Sequence, residues 1–218
     1  MLVDLLEYLR CPNQHADSWL VATAVRTADR HIVEGTLGCP VCGAEFTIRD
    51  GVASFGRQDP PPSAAAPADI GVETLRLAAL LAASDRRGLY VLGGAWSELA
   101  QTLSDLLDES RRARLMLVSP PQRFVGWSTL RGAGDTLPLA AGSARGVAID
   151  RASVPFAQSA VLVLGSKGRL VAPAATPLPA GITLLARDDR HWVGERESGA
   201  GDSPLVMPRR AAPRTESR

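Results

Sequence analysis

The chain has 218 residues, a formal net charge of +1 and a hydrophobic fraction of 45%, which allows one medium domain or a small module beside a domain. Near-neutral charge and 5% aromatic residues give no argument for direct nucleic-acid binding, which we therefore do not expect. No run approaches the roughly 20 apolar residues that cross a bilayer, and no signal peptide is visible, so we expect no membrane contact and a cytoplasmic protein.

The first 56 residues predict a small module of short elements. Leucines at helical spacing predict an amphipathic helix over residues 2–9. Strand-forming runs separated by turn residues follow at 19–22, 30–37 and 45–48, with a turn at 49–51. A module this short buries too little apolar surface to fold without an additional constraint.

All three cysteines lie within this module, where they favour a metal site. Cys39 and Cys42 form a Cys-Pro-Val-Cys-Gly knuckle, whose closing Gly43 lets the backbone turn tightly. Cys11 begins the other knuckle, which is damaged and comes first in the chain. An oxidised framework would leave one of three cysteines unpaired, whereas a metal in a reducing compartment uses all of them. The alternative is that the metal has been lost and the cysteines only pack.

The sequence offers two histidines for the fourth ligand. Gln14 stands where a complete first knuckle would place its second thiol, and an amide is a poor zinc ligand. His15, one residue further, is our choice, and His31, between the knuckles, is the alternative. The predicted set of Cys11, His15, Cys39 and Cys42 has no open position, so the zinc would be structural.

Three segments in this order resemble a known zinc ribbon: Leu5–Pro12, Leu37–Gly43 and Phe46–Val52. They are similar to the small activator subunit shared by tRNA, ribosomal-RNA and release-factor methyltransferases, and to its short bacterial relatives. The resemblance covers residues 2–55. In that family the ribbon packs on a methyltransferase and stabilises it, which implies a structural zinc and a protein partner.

A Pro/Ala-rich linker over 57–70 leads to a second region, residues 71–197, in which helices and strands alternate. Helices are predicted at 72–83, 97–107 and 157–164, strands at 89–92, 114–118, 146–149 and 168–172, and a final antiparallel hairpin at 182–186 and 191–195. This alternation predicts an α/β domain with a mainly parallel sheet. Residues 198–218 are polar, Pro-rich and basic, which predicts a disordered tail.

The second region resembles a class I S-adenosylmethionine-dependent methyltransferase. The similar segments are Gly134-Asp135 followed by Leu137–Ser143, the Val161–Val171 turn, and the final hairpin. The resemblance implies a Rossmann-like sheet with helices on both faces and an antiparallel hairpin at its end.

The motif with which that family binds the methyl donor, S-adenosylmethionine, is largely missing. The family has an acid late in strand one, then Gly-x-Gly-x-Gly, and a second acid after strand two. The matching stretch here is Tyr90–Ser97, in which Val91 stands at the acidic position and Gly93 is the one motif glycine kept. Trp96 brings an indole into the loop, where we expect it to fill the core. Ser-Pro-Pro at 119–121 replaces the second acid.

Gly93, Gly94 and Asp135 are the residues that the resemblance leaves as remnants of a donor site. The alternative for Asp135 is a turn aspartate after Gly134, and this is the interpretation that we favour. Asp150 follows a predicted strand where such enzymes often keep substrate-facing residues, and a solvated turn is the alternative. We assign no catalytic residue.

Two functions remain at this point. The missing acids and glycines favour a non-catalytic protein, a pseudoenzyme in which the ribbon and a degenerate methyltransferase-like domain act as a scaffold or regulatory partner. Its partner would be an active methyltransferase or a second copy of the chain. The alternative is a divergent S-adenosylmethionine-dependent methyltransferase with its activator ribbon fused in cis.

Overall fold

The computed structural model describes residues 1–56, 69–83, 87–107 and 113–198. In chain order its strands are β1 (Val21–Ala28), β2 (His31–Gly38), β3 (Glu45–Arg49), β4 (Val52–Ser54), β5 (Gly88–Gly93), β6 (Ala113–Val118), β7 (Thr129–Arg131), β8 (Ala144–Ala148), β9 (Leu164–Pro173), β10 (Ile182–Arg187) and β11 (His191–Arg196). The α-helices are α1 (Ile70–Leu81), α2 (Ala100–Leu106) and α3 (Ala157–Val163), and 3₁₀ helices cover Val3–Tyr8, Gly94–Leu99 and Val154–Phe156. The predicted linker 57–70 lies outside the described residues except for 69 and 70, and the predicted tail except for residue 198.

One mixed sheet contains all the named strands, in the order β1-β2-β3-β4-β7-β6-β5-β8-β9-β11-β10. Its central strands, from β7 through β9, pair in parallel, and β11 and β10 complete the sheet antiparallel. The expected α/β class and the final hairpin are therefore present. The sequence order of the strands reverses between β5 and β8, which makes this point the topological switch of the sheet.

Helices cover both faces of the central strands, although they are few. Because side chains alternate along a strand, Leu89 and Val91 of β5 enter one apolar core while Tyr90 and Leu92 enter the other. The second core is built against α1 and α2. The first is built against α3 and the 3₁₀ helix Val3–Tyr8, so the start of the chain forms part of the cover of the α/β sheet.

The ribbon and the α/β region share this sheet through β4 and β7. These strands pair in parallel, with Val52 opposite Thr129 and Ser54 opposite Arg131. A second contact joins the two regions where the Arg10 N–H donates to the Pro138 carbonyl at 2.8 Å and the Ala140 N–H donates to the Tyr8 carbonyl at 2.7 Å. The division into a ribbon over 1–56 and a domain over 71–197 remains a prediction.

Three predicted helices differ from the structure in detail. The helix expected over 2–9 is a 3₁₀ helix, Val3–Tyr8. The helix expected over 97–107 is a 3₁₀ turn followed by α2. The first helix of the α/β region begins earlier than expected because Asp69 caps it, accepting the Val72 N–H at 3.0 Å. Among the described residues, no helix is long and apolar enough to cross a membrane.

Candidate functional site

The second knuckle is a tight turn between β2 and β3. The Cys39 N–H donates to the Ala44 carbonyl and the Gly43 N–H donates to the Cys39 carbonyl, both at 2.9 Å. Gly43 has φ +68°, a backbone conformation that favours glycine. The turn therefore places the Cys39 and Cys42 side chains on the same side of the loop as Cys11 and His15.

The first knuckle presents one thiol and one imidazole. The Cys11 N–H donates to the Ser18 carbonyl at 3.1 Å, which closes the loop that holds His15. His15 Nδ1 lies 2.6 Å from the Ala16 carbonyl oxygen. Because a carbonyl only accepts, Nδ1 carries the proton and Nε2 is left with a lone pair for a metal.

Cys11, His15, Cys39 and Cys42 come together with their ligand atoms all within 4.8 Å of one another. Cys11 Sγ lies 3.7 Å from Cys42 Sγ, and Cys39 Sγ lies 3.4 Å from His15 Nε2. A tetrahedral zinc with Zn–S bonds of about 2.3 Å and Zn–N bonds of about 2.0–2.1 Å has edges of about 3.5–3.8 Å. The donor set and its spacing therefore fit zinc.

The two other residues considered for the site lie elsewhere. Gln14 is exposed and is not part of the group. His31 begins β2, bridges to Leu2, and places Nδ1 3.0 Å from the Asp29 carbonyl oxygen. Among the described residues, His15 is thus the histidine that accompanies the thiols.

The thiols differ in how readily they ionise without a metal. Although burial of Cys39 opposes ionisation, the backbone N–H groups of Cys42 and Val41 lower its pKa to about 6. Burial raises the pKa of Cys11 to about 12. The turn amides thus already favour one thiolate, whereas Cys11 needs the metal's charge to lose its proton.

Asn13 is a member of the site that the sequence does not identify. Its Nδ2 donates to Cys42 Sγ at 3.4 Å, and this hydrogen bond lowers the pKa of the Cys42 thiol. Such outer contacts orient metal ligands. In the sequence Asn13 is only the middle of a damaged knuckle, and nothing there shows that the amide turns toward the other loop.

A second candidate site lies at the switch point, where β5 and β8 end side by side. Ligands of open α/β sheets bind in the crevice outside the carboxyl ends of the strands at this point. Gly93 ends β5 and Gly94 follows with φ +59°. A Cβ at Gly94 would fall on the carboxylate of Asp150, which is 8% exposed. The glycine loop is therefore in direct contact with an acidic side chain of this chain.

Asp150 is held by hydrogen bonds from two segments. One carboxylate oxygen accepts the Ala95 N–H at 2.9 Å, and the other accepts the Ser153 N–H at 2.8 Å. The Ser153 hydroxyl also donates to the carboxylate, and the Asp150 N–H donates to Ser153 Oγ at 2.9 Å. Asp150 is thus neither a solvated turn residue nor a group facing open space.

Trp96 fills the core beside this loop, as expected. Its side chain is 6% exposed, and its indole N–H donates to the Ile149 carbonyl at 3.1 Å. The indole lies against His191 at the start of β11, with the ring centroids 5.0 Å apart.

The other positions that the sequence related to an S-adenosylmethionine site lie on loops. Asp135 is exposed after β7 and accepts the Thr136 hydroxyl at 3.3 Å. Ser119 directly follows β6 and has φ +46°, and its N–H donates to the Leu130 carbonyl at 2.9 Å. Assignment of Gly93, Gly94 and Asp135 to a donor site remains a prediction.

An ion-pair network fixes the β10–β11 turn against α1. Arg190 Nη2 donates to the Glu73 carboxylate at 2.7 Å. Arg76 bridges two carboxylates: its Nη1 lies 3.4 Å from Glu73 and its Nη2 lies 2.5 Å from Asp188. The His191 and Arg190 N–H groups lower the pKa of Asp188 to about 2. These carboxylates are fully engaged in structural contacts.

His191 gives this corner a pH dependence. Burial lowers its pKa, and Arg76 and Arg190 lower it further against the opposing effect of Asp188 and Glu73. Below about pH 6.5 the unfolded chain therefore binds more protons than the folded one. We expect this contribution to stability to be complete above that pH and to be lost as the pH falls toward the lower folded pKa.

Urea unfolding at about pH 7.5 and about pH 5 measures this effect. The variant His191→Gln should lose less stability on acidification than the wild type. Equal losses in His191→Gln and the wild type would show that His191 is not the responsible group.

No protein-family model and no curated protein matches the chain. It is similar to a solved structure from Galdieria sulphuraria assigned as a sarcosine dimethylglycine methyltransferase, with 11% identity, a TM-score of 0.34 and coverage of 47% of this chain. It spans 45% of that protein's length. A second similar structure is a chain in the complex between the Haloferax volcanii Trm112 methyltransferase activator and the protein assigned as its methyltransferase. The identity is 11% and the TM-score is 0.40, and the match covers 62% of this chain and 100% of that chain. The first neighbour is a methyltransferase structure, and the second is a chain of a complex between a methyltransferase and its activator.

Proposed function

We propose that this chain is a non-catalytic protein, a pseudoenzyme in which a structural zinc ribbon and a methyltransferase-like sheet form a scaffold or regulatory partner. The observation that supports this most directly is the position of Asp150. Its carboxylate lies on the glycine loop at the switch point, which is where a sheet of this kind receives its ligand.

Binding of S-adenosylmethionine on this loop would require the Asp150 side chain to move away from it. The Ala95 N–H, the Ser153 N–H and the Ser153 hydroxyl all donate to this carboxylate. Hydrogen bonds to an ionised acceptor are about twice as strong as neutral ones. A displaced carboxylate would also remain nearly buried without partners, at a cost of about 1–3 kcal/mol or more.

The acidic residues that would bind S-adenosylmethionine are also replaced. Val91 is 1% exposed within β5 at the position of the first acid, and Ser119 stands near that of the second. Without a carboxylate, the ribose hydroxyls lose interactions of about 1–3 kcal/mol each, so two such losses lower affinity by roughly a hundredfold or more.

The zinc has a structural role in this proposal. Four protein ligands leave no open position for chemistry. The loop that carries Cys11 follows directly on the 3₁₀ helix Val3–Tyr8, which covers the α/β sheet. The metal thereby fixes the segment on which part of the sheet's core depends.

The proposed partner is an active methyltransferase, and a second copy of this chain is the alternative. What supports a protein partner is the resemblance of residues 2–55 to an activator ribbon that stabilises a methyltransferase.

One observation favours the second function, a divergent methyltransferase with its activator in cis. The pairing of β4 with β7 extends the α/β sheet by the ribbon within one chain. In that case the ribbon's stabilising role would be fulfilled internally, and the crevice would have to bind the donor through other contacts.

Calorimetry with S-adenosylmethionine separates the two functions. We expect no saturable binding by the wild type up to about 1 mM, because Asp150 occupies the loop and the acidic ligands are missing. Micromolar binding by the wild type would overturn the non-catalytic proposal and favour the divergent enzyme.

A further inference from the structure

A cleft of about 270 Å³ lies at the junction between the ribbon and the α/β region, and its lining includes neither the zinc ligands nor Gly93, Gly94 and Asp150. It opens between the turn after β3 and the loop after β6. Its walls carry Arg49, Arg123 and Arg131, and its lining includes Thr129 and Phe124. None of these residues belongs to the function proposed above.

Strand register brings the arginines together from separate elements. Arg49 of β3 lies opposite Val52 of β4, and Val52 lies opposite Thr129 of β7. Their neighbours Ile48 and Leu130 are buried in the core, so Arg49 and Thr129 are on the opposite face. Arg131, two residues after Thr129, shares that face, and Arg123 reaches the same cleft from the loop.

The cleft carries an excess of positive charge on a chain that is nearly neutral overall. Among the described residues, its lining carries three guanidinium groups and a single carboxylate, that of Asp50. Arg123 Nη2 pairs with Asp50 at 2.9 Å. Arg131 is held in place as Nη2 donates to the Pro120 carbonyl at 2.8 Å. The cross-strand neighbour of Arg49 is Glu34, whose carboxylate pairs with Arg26 at 3.1 Å.

One buried polar group in the lining also lacks a partner among the described residues. Thr129 is 1% exposed, and its hydroxyl makes no hydrogen bond in the part of the chain that the structure describes. Buried hydroxyls are nearly always hydrogen-bonded, so this group is one that a ligand in the cleft would satisfy after a small side-chain movement.

We propose that this cleft binds the phosphate group of a small phosphate ester. Planar guanidinium groups match phosphate oxygens in paired hydrogen bonds, and convergent arginines are a frequent means of phosphate recognition. Phe124 and Pro120 supply an apolar wall for the organic part of the ester. The volume lies just below the usual range for ligand pockets, about 300–1,000 Å³, which suits a phosphate with a single ring or short chain.

Calorimetry at low salt with phenyl phosphate, inorganic phosphate and phenol tests this site. We expect saturable binding of phenyl phosphate, weaker binding of inorganic phosphate and no binding of phenol. Arg49→Ala should weaken phenyl phosphate binding about tenfold or more, the scale of one charge-assisted contact. Arg187→Ala removes the same charge from β10 at the far edge of the sheet and should leave binding within about twofold.

Asp50→Asn tests the opposite direction. It releases Arg123 from its carboxylate partner, and asparagine tolerates the φ of +51° at this turn, so we expect tighter binding than in the wild type. Equal losses in Arg49→Ala and Arg187→Ala, no gain in Asp50→Asn, or no saturable binding of phenyl phosphate by the wild type would each overturn the proposal.

Discussion

Replacing Cys39 with serine should remove the zinc and unfold the ribbon. Cys39 is 3% exposed, and its sulfur is one of four ligand atoms that lie within 4.8 Å of one another. Structural zinc supplies about 10–16 kcal/mol in isolated zinc-finger peptides, which is comparable to the whole stability of a domain. We expect metal analysis to fall from about one zinc per chain to near zero.

The damage should extend beyond the ribbon. Leu5 and Leu9 lie in the same apolar core as β5, and β4 pairs with β7, so a disordered ribbon would uncover one face of the α/β sheet. We expect the main melting transition to fall by about 10 °C or more, corresponding to a loss of more than about 3 kcal/mol. An unchanged melting profile would rule out a structural metal.

Matched variants separate loss of a ligand from a change in the loop. Val41→Ser alters an exposed residue of the same knuckle, so zinc content and melting should stay near wild type. The histidines form a second pair: His15→Ala should lose zinc, whereas His31→Ala should keep it. Retention of zinc in His15→Ala would remove His15 from the ligand set.

Sequence periodicity predicted the longer elements because each buries a continuous apolar surface. The apolar run Leu89–Leu92 predicts a strand that is buried on both faces, and β5 is such a strand. The three-residue strands β4 and β7 are too short to show a period. Their parallel pairing joins residues about 77 positions apart, as Val52 opposite Thr129 shows, and local sequence carries no sign of it.

The sequence predicted the zinc ligands better than the arrangement at the switch point, because only the zinc ligands follow from local spacing. Cysteine spacing predicted a zinc site because a Cys-x-x-Cys pair on one tight turn can present two thiolates to the same metal. At the switch point, the sequence showed that acids and glycines were missing from the loop. It did not show that Asp150, 56 residues after Gly94, fills the loop, since only the adjacent ends of β5 and β8 bring these residues together.

Removal of the Asp150 carboxylate should destabilise the α/β region. Asp150→Ala leaves the Ala95 and Ser153 N–H groups without their acceptor in a nearly buried loop. Each unsatisfied donor costs about 1–3 kcal/mol, so we expect a loss of about 3 kcal/mol. For a chain of this size, that corresponds to a fall in melting temperature of about 6–12 °C.

Asp135→Ala is the matched control, because it removes an exposed aspartate from a loop of the same region and should cost less than about 0.5 kcal/mol. Asp150→Asn keeps one carbonyl acceptor and should lie between the two. A double-mutant cycle of Asp150→Ala with Ser153→Ala should give a coupling of about 1–3 kcal/mol, since the two side chains share hydrogen bonds. If Asp150→Ala melts like Asp135→Ala, the carboxylate does not hold the loop, and the main support for a closed crevice is lost.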